Sequence, residues 1–501
     1  MFANERKLFP EVDHHTTFSL NVYGGPQEVS FDSISNLYDP NTIDQCFIND
    51  GSDSPIPGIK DNLGNWNTIG HPSRRIHISS DELKIFLKVF DGDGNWQHAK
   101  LPVLHVKELV DVLRVFSHQH KYLSDYQNLI SSAVMWDESL SQKDGTITRN
   151  VHFPESPSDT IYSGPHLGVA NPLFKTSRRV CKLNSDYDNI DLNSISETYI
   201  QRCNYSINCT TAEYIKRVPK NSNGVLYNSD YRICVRKMLN QGGERTLVGA
   251  LIPPQSAHIN GLFGINIGTD TVLFAAACFS LPYDFYVKVT GKANINLSLA
   301  SGLPVLSEFR FINEIVCRAL MLNCVNRYYS DIWTKEYSED FTNVKWAKKD
   351  NRLNDIVFSK LTEKWVPSLF LHTDYARREA LVELDVLVAL ALGMTIKQLI
   401  TIYRIQFSVL QSYESDTWYD SNGRIVFTNN RSLIGVGLSR SEWENVKNMK
   451  DGIVTQVIID DTIPDGPIER TIEYVAPFDR CDREKDYEEV WATFEKRFKN
   501  K

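Results

Sequence analysis

The run FKTSRRVCK, residues 174–182, places Lys175, Arg178, Arg179 and Lys182 within eight positions. A second run, KVTGKANIN, combines Lys288 and Lys292 with Asn294 and Asn296, and SAHIN adds His258 and Asn260. Reading bases in a duplex requires side chains that bridge the donor and acceptor patterns of base edges, with Lys and Arg reaching the phosphates around them. These residue types supply both. On a strand, Lys292, Asn294 and Asn296 would share one face and Ala293, Ile295 and Leu297 the other, so that one face packs while the other meets a ligand. The plainer reading is that such clusters are solvated loops.

Other chemistries find little support. DGDGNW, residues 91–96, begins like a calcium loop, but Trp96 stands where the turn glycine belongs and Pro102 where the bidentate Glu belongs, which leaves an Asp/Gly turn. His14-His15 and the other histidines lack metal-ligand spacing. Asp81-Glu82-Leu83-Lys84 contains an E-x-K, but it opens an amphipathic helix instead of ending a strand, as a nuclease core would require. Neither a nucleophile elbow nor a Walker loop occurs.

Asn171-Pro172-Leu173-Phe174, within GVANPLFKTSR, differs by one residue from the tetrapeptide of DNA methyltransferases that modify exocyclic amines. There Asn or Asp precedes Pro-Pro and an aromatic residue. The Asn side chain and a Pro carbonyl accept hydrogen bonds from the target amine, and the ring stacks on a base swung out of the duplex. Here Leu173 replaces the second Pro. Such an enzyme also needs a glycine-rich strand-to-helix turn for S-adenosylmethionine, ahead of the tetrapeptide in the adenine type. In NVYGGPQEVS, Pro26 follows the glycines and no helix does. Asn171 therefore reads as part of a turn with a φ fixed by proline.

The elements that must position these residues fall into three parts of a 501-residue chain: 1–160, 161–310 and 311–501. The first begins with short strand-like runs among long turns. Helical periodicity follows in SSDELKIFLKVF, capped by Ser80 or Asp81, and in residues 106–136. In the second, HLGVANPLF, SDYRICVRKML, RTLVGALIPP and YDFYVKVTG read as strands. The third is helical, with RREALVELDVLVALALGMTIKQLITIY spaced as a core helix. It ends in a β-hairpin around RIVFT, flanked by turn signals at Ser421-Asn422-Gly423 and Asn429-Asn430, and a charged final helix.

Composition is that of a globular protein, 42% hydrophobic and 23% charged, and a net charge of -8 argues against indiscriminate coating of nucleic acid while allowing a local basic cleft. Nine scattered cysteines without a C-x-x-C pair fit thiols in a reducing cytoplasm better than a disulfide framework. The N-terminus is too polar for a signal peptide, and no apolar run reaches membrane-spanning length.

Four ordered stretches resemble the portion of large adenine-specific DNA methyltransferases that lies C-terminal to their catalytic tetrapeptide. These are the single-chain type II restriction-modification enzymes and the large methylases of the BREX and DISARM phage-defence systems. ERKLFPEVDHHTTFSL resembles the strand pair that ends the catalytic domain, and YSGPHLGVANPLFKTSR the start of the target-recognition domain. ERTLVGALIPPQSAHIN with FAAACFSLPYDFYVKVTGKANINLSLASGLPVL resembles that domain's core and exit, and RREALVELDVLVALALGMTIKQL the helical segment that follows.

The resemblance implies an α+β protein with a mixed β target-recognition domain, residues 161–310, flanked by helical segments. Its expected DNA contacts are Lys175, Arg178, Arg179, His258, Asn260, Lys288, Lys292, Asn294 and Asn296. The chain itself would hold no catalytic residue, no metal and no cofactor. S-adenosylmethionine would sit in a separate catalytic subunit docked through residues 1–160, in the cytoplasm and away from membranes, with other defence proteins as further partners. Two rivals stand beside it: a non-enzymatic scaffold of a defence complex, and a diverged complete methyltransferase using Asn171.

Overall fold

The computed structural model describes every residue except 14, 15, 26, 52–54, 62, 93, 127, 128, 308, 355, 500 and 501. The pair His14-His15 and Asp93 of the Asp/Gly turn therefore lie outside the described residues. The fold is α+β, with helices packed around several small, separate sheets.

At the centre is a four-stranded antiparallel sheet in the order Gly249–Ile252, Arg232–Arg236, Leu262–Asn266, Ser131–Ala133. Alternation along Arg232–Arg236 explains its position: Ile233 and Val235 face the main core, while Cys234 faces a small cluster with Leu167, Ile252 and Leu262. The sheet is thus buried on both faces. Its edge strand comes from before residue 160, and the main core runs unbroken from Ile76 to Phe498, so packing does not divide the chain at 160 or 310.

Helices Thr271–Cys278 and Leu281–Val289 are buried along their whole length. YDFYVKVTG, expected as a strand, is the second of these: Pro282 starts it, and burial on all sides erases the amphipathic period that would have marked a helix. Taken together the two are apolar enough for a membrane span, but they bend by 83°, and among the described residues no single helix is long and apolar enough to cross a membrane.

Helix Asp374–Leu392 is a core helix, as its spacing predicts, yet it buries Arg377, Arg378, Glu379, Glu383 and Asp385 as well. Several of these charges are matched across helix boundaries. Glu383 pairs with Arg318, which also holds Glu314 at 2.6 Å, and Asp385 meets Arg483 at 2.8 Å and Tyr487 at 2.6 Å. Removing one partner of such a buried pair typically costs about 3–5 kcal/mol.

Other boundaries moved. Helix Ser80–Phe90 is capped by Ser79, whose side chain forms a capping box with Glu82, one residue ahead of the expected cap. Among the described residues of the helical run 106–136, only Glu108–Ser117 is α-helix; others supply a short 3-10 turn and the sheet's edge strand. All nine cysteines are unpaired thiols.

Near the C-terminus, Thr417–Tyr419 and Ile425–Thr428 form the expected hairpin, with Gly423 at φ 86° closing its turn. A longer hairpin, Ile453–Asp460 with Ile468–Val475, was not legible as one. These strands share a separate small core of Val426, Phe427, Trp443, Tyr474 and Phe478.

Candidate nucleic-acid interface

A cleft of 1470 Å³ lies between the central sheet and the C-terminal hairpins. Its walls are residues 188–193, the loop 240–248, helix Ser408–Ser415, the loop 429–437 and one face of the long hairpin. Nine Lys and Arg against seven Asp and Glu line it, a cationic excess in a chain of net charge -8.

Many of these charges are already paired. Asp191 takes Arg424 at 3.1 Å and Arg470 at 2.7 Å. Glu414 takes Arg378 at 3.1 Å and Arg483 at 2.7 Å; burial opposes its ionisation, but the two guanidiniums hold its pKa at about 2. Arg236 spends its hydrogen bonds on main-chain carbonyls, Gly164 at 3.1 Å and Leu167 at 2.7 Å, and burial brings its pKa down to about 10 against the pull of Glu244.

Two carboxyls in the walls lean the other way. Burial raises the pKa of Glu244, whose Oε2 accepts from Asn430 at 2.9 Å. Burial also lifts Asp374 to about 6, although the Ile425 amide donates to it at 3.0 Å. The cleft therefore offers both fixed cations and carboxyls able to hold a proton, a combination suited to a polar, anionic ligand.

Asn171 borders this cleft, but its chemistry is spent internally. Its Oδ1 accepts from the Leu173 amide at 3.1 Å, and the Pro172 carbonyl accepts from Gln201 Nε2 at 3.2 Å. Each acceptor that a target amine would need therefore already takes a hydrogen bond within the protein. HLGVANPLF, expected as a strand, is a turn with Ala170 at φ 51°. Gly168 is required in it, because a Cβ there would come within 2.9 Å of Phe174.

Of the expected DNA contacts, two are corrected outright. His258 is fully buried, its ring between Tyr227 Oη and the Ile259 carbonyl, both at 3.0 Å, and burial with nearby Arg232 pulls its pKa to about 3. Lys288 is 6% exposed within helix Leu281–Val289, and its Nζ donates to the Gln241 carbonyl at 2.5 Å. Burial lowers its pKa to about 8, so it is a core group and no phosphate contact.

Four others are exposed or half-exposed but engaged. Arg178 pairs with Asp188 at 2.9 Å and Arg179 with Asp461 at 2.8 Å. Asn260 accepts from Lys237 at 2.6 Å. Lys175 lies 5.3 Å over the Phe174 ring, and burial and Arg236 lower its pKa.

Lys292, Asn294 and Asn296 stand in solvent, together on the rim of a second cavity of 160 Å³. They are not on a continuous strand. The Leu239 amide bonds the Ala293 carbonyl at 2.8 Å and the Ile295 amide the Lys237 carbonyl at 2.9 Å, after which Asn296 caps a one-turn helix by accepting from the Leu299 amide at 3.0 Å. Ile295 points inward, as alternation requires, but Ala293 and Leu297 do not. Neither the Lys292 nor the Asn294 side chain is taken by another described residue. The segment that pins them, 237–239, continues directly into the cleft loop 240–248.

The links of Arg179 and Arg202 to Asp461, 282 and 259 residues away, and of Arg470 to Asp191, 279 residues away, were not anticipated, because no spacing connects them. No known family model matches the sequence, and no curated protein does.

Proposed function

We propose that this chain is the DNA target-recognition portion of an adenine-N6 DNA methyltransferase of restriction-modification or phage defence. It would act beside a catalytic part that carries S-adenosylmethionine and extrudes the base. The observation that supports the reading most is the solvent-facing pair Lys292 and Asn294, whose side chains no other described residue takes and whose main chain pairs with the segment 237–239 leading into the large cleft's wall. A phosphate contact and a base contact side by side are what a positioned reading loop requires.

The catalytic partner would cover the N-terminal region. Of the twenty-eight described large apolar side chains standing in solvent, eleven belong to residues 1–70, among them Leu20, Val22, Tyr23 and Ile48. That concentration fits a surface awaiting a partner. The test is duplex binding by fluorescence anisotropy over a salt series, with and without the catalytic protein. Affinity falling steeply with salt supports the reading, and salt-independent or absent binding in both conditions sinks it.

A diverged enzyme using Asn171 fits less well, since the Asn171 and Pro172 acceptors already take hydrogen bonds within the protein.

A further inference from the structure

The long hairpin crosses the cleft like a strap. Each strand has eight residues, a reach of about 26 Å. Its base belongs to the small C-terminal core through Val454, Ile472 and Tyr474. One face forms the cleft wall with Ile458, Arg470 and Tyr474, while on the other Ile453 and Val457 are 57% and 61% exposed. No second layer backs it there.

At the far end the tip, residues 461–467, rests on the central region mostly through polar contacts. Arg179 grips the Asp461 carboxylate with two nitrogens, Nε at 3.0 Å and Nη2 at 2.8 Å, and also donates to the Gly466 carbonyl. Arg202 approaches the same carboxylate at 3.4 Å and donates to the Asp461 carbonyl at 2.7 Å. Tyr199 Oη donates to the Thr462 carbonyl at 2.6 Å. Ile463 packs against the main core as the tip's apolar anchor.

We propose that Arg179 and Arg202 form a phosphate-binding pair, that Asp461 occupies it in the free chain, and that a backbone phosphodiester of duplex DNA displaces this carboxylate and frees the hairpin tip from the cleft. The proposal rests on the DNA-recognition reading. A guanidinium fork recognises carboxylate and phosphate with the same geometry, so exchange conserves the hydrogen bonds. The two arginines divide the work. Arg179 is 58% exposed and can meet an incoming anion, whereas Arg202 is 4% exposed and cannot lose its counter-charge without a replacement. The latch therefore opens by exchange with an anion and stays shut otherwise. It also explains why Asp461, an acid, sits at the edge of a cationic cleft: it holds the site closed to weak or single anions, and a polyanion with many phosphates outcompetes it.

The test uses the full chain and a 20-base-pair duplex. Asp461→Asn is expected to bind the duplex about fivefold more tightly than the wild type at about 0.1 M salt. Arg179→Ala should bind more weakly, with a salt slope lower by about one, and the double variant should lose most of the gain. In the unaltered chain, hydrogen exchange of amides 461–468 is expected to quicken when the duplex is added, a readout that does not depend on a variant folding. Unchanged affinity of Asp461→Asn beside salt-dependent wild-type binding overturns the latch and leaves the DNA reading standing. Slower exchange of the tip with duplex does the same. Absence of duplex binding by both proteins overturns both.

Discussion

Arg377 donates from Nη2 to the carbonyl of Ala170 at 3.0 Å, tying the turn ahead of Asn171 to a helix 207 residues further along the chain. The same guanidinium donates to the carbonyls of Leu322 at 2.9 Å and Leu371 at 3.0 Å. Among the described residues no carboxylate forms an ion pair with it; three main-chain segments converge on one buried cation, and burial lowers its pKa to about 10 against the pull of Asp374. Arg377→Met would fill the volume but leave three buried carbonyls without this donor. A loss of about 3 kcal/mol or more is expected in guanidinium unfolding. Arg377→Lys should recover part of it, since one ammonium cannot span the three directions of a planar fork.

This contact also marks the limit of what the sequence reveals. Periodicity identified the helix that carries Arg377, because leucines and valines recur at three and four residues, and the turn signals at Gly423 located the small hairpin. What eluded it was burial without period. Lys288 and His258 look like surface groups by type, and only the packing around Leu281–Val289 and Tyr227 makes them core residues. Lys292 and Asn294 stand in solvent, as their residue types suggest, but the strand alternation expected around them is interrupted. The cleft network joins Asp191, Arg470 and Asp460, and contacts set by the fold leave no local trace.

Asp374 gives the cleft a pH signature. Its native pKa of about 6 lies above the ordinary 3.8, so the folded chain holds the proton more tightly than the unfolded one. Stability from this position is complete below the ordinary value and is lost as pH rises through about 6. Asp374→Asn retains an oxygen for the Ile425 amide but cannot ionise. It should be more stable than the wild type by about 1–2 kcal/mol above pH 7, after allowing for the favourable helix dipole at this first-turn position, and no more stable near pH 4. Denaturant midpoints at the two pH values decide it, and a gain of equal size at both would show that ionisation is not the cause.

The apolar N-terminal surface predicts a separation of folding from assembly. Ile48 is 83% exposed and Tyr23 87%, so Ile48→Ser and Tyr23→Ser should change stability by no more than about 0.5 kcal/mol. If a catalytic protein docks here, the same changes should weaken its co-purification with this chain about tenfold or more in combination. Undiminished co-purification of the double variant would place the partner elsewhere.

Lys288 and Lys292, four positions apart in sequence, should behave as opposites. Lys292 stands in solvent on the rim of the second cavity, so Lys292→Ala is expected to weaken binding to all duplexes alike and to lower the salt slope by about one. Lys288 donates to the Gln241 carbonyl inside the core, so Lys288→Met should lower stability by about 1 kcal/mol and leave the salt slope unchanged. Asn294 makes a third case. Its side chain is exposed beside Lys292 while its main chain is pinned to Met238, which fixes where the amide can reach. Loss of a bidentate base contact costs about 1–3 kcal/mol at one position of a site, so Asn294→Ala should relax sequence preference there without altering the salt slope. Binding of the assembled complex to a library of duplexes, repeated at two salt concentrations, separates the three outcomes. Equal salt slopes for wild type and Lys292→Ala, with sequence preference intact in Asn294→Ala, would remove this turn from the DNA interface.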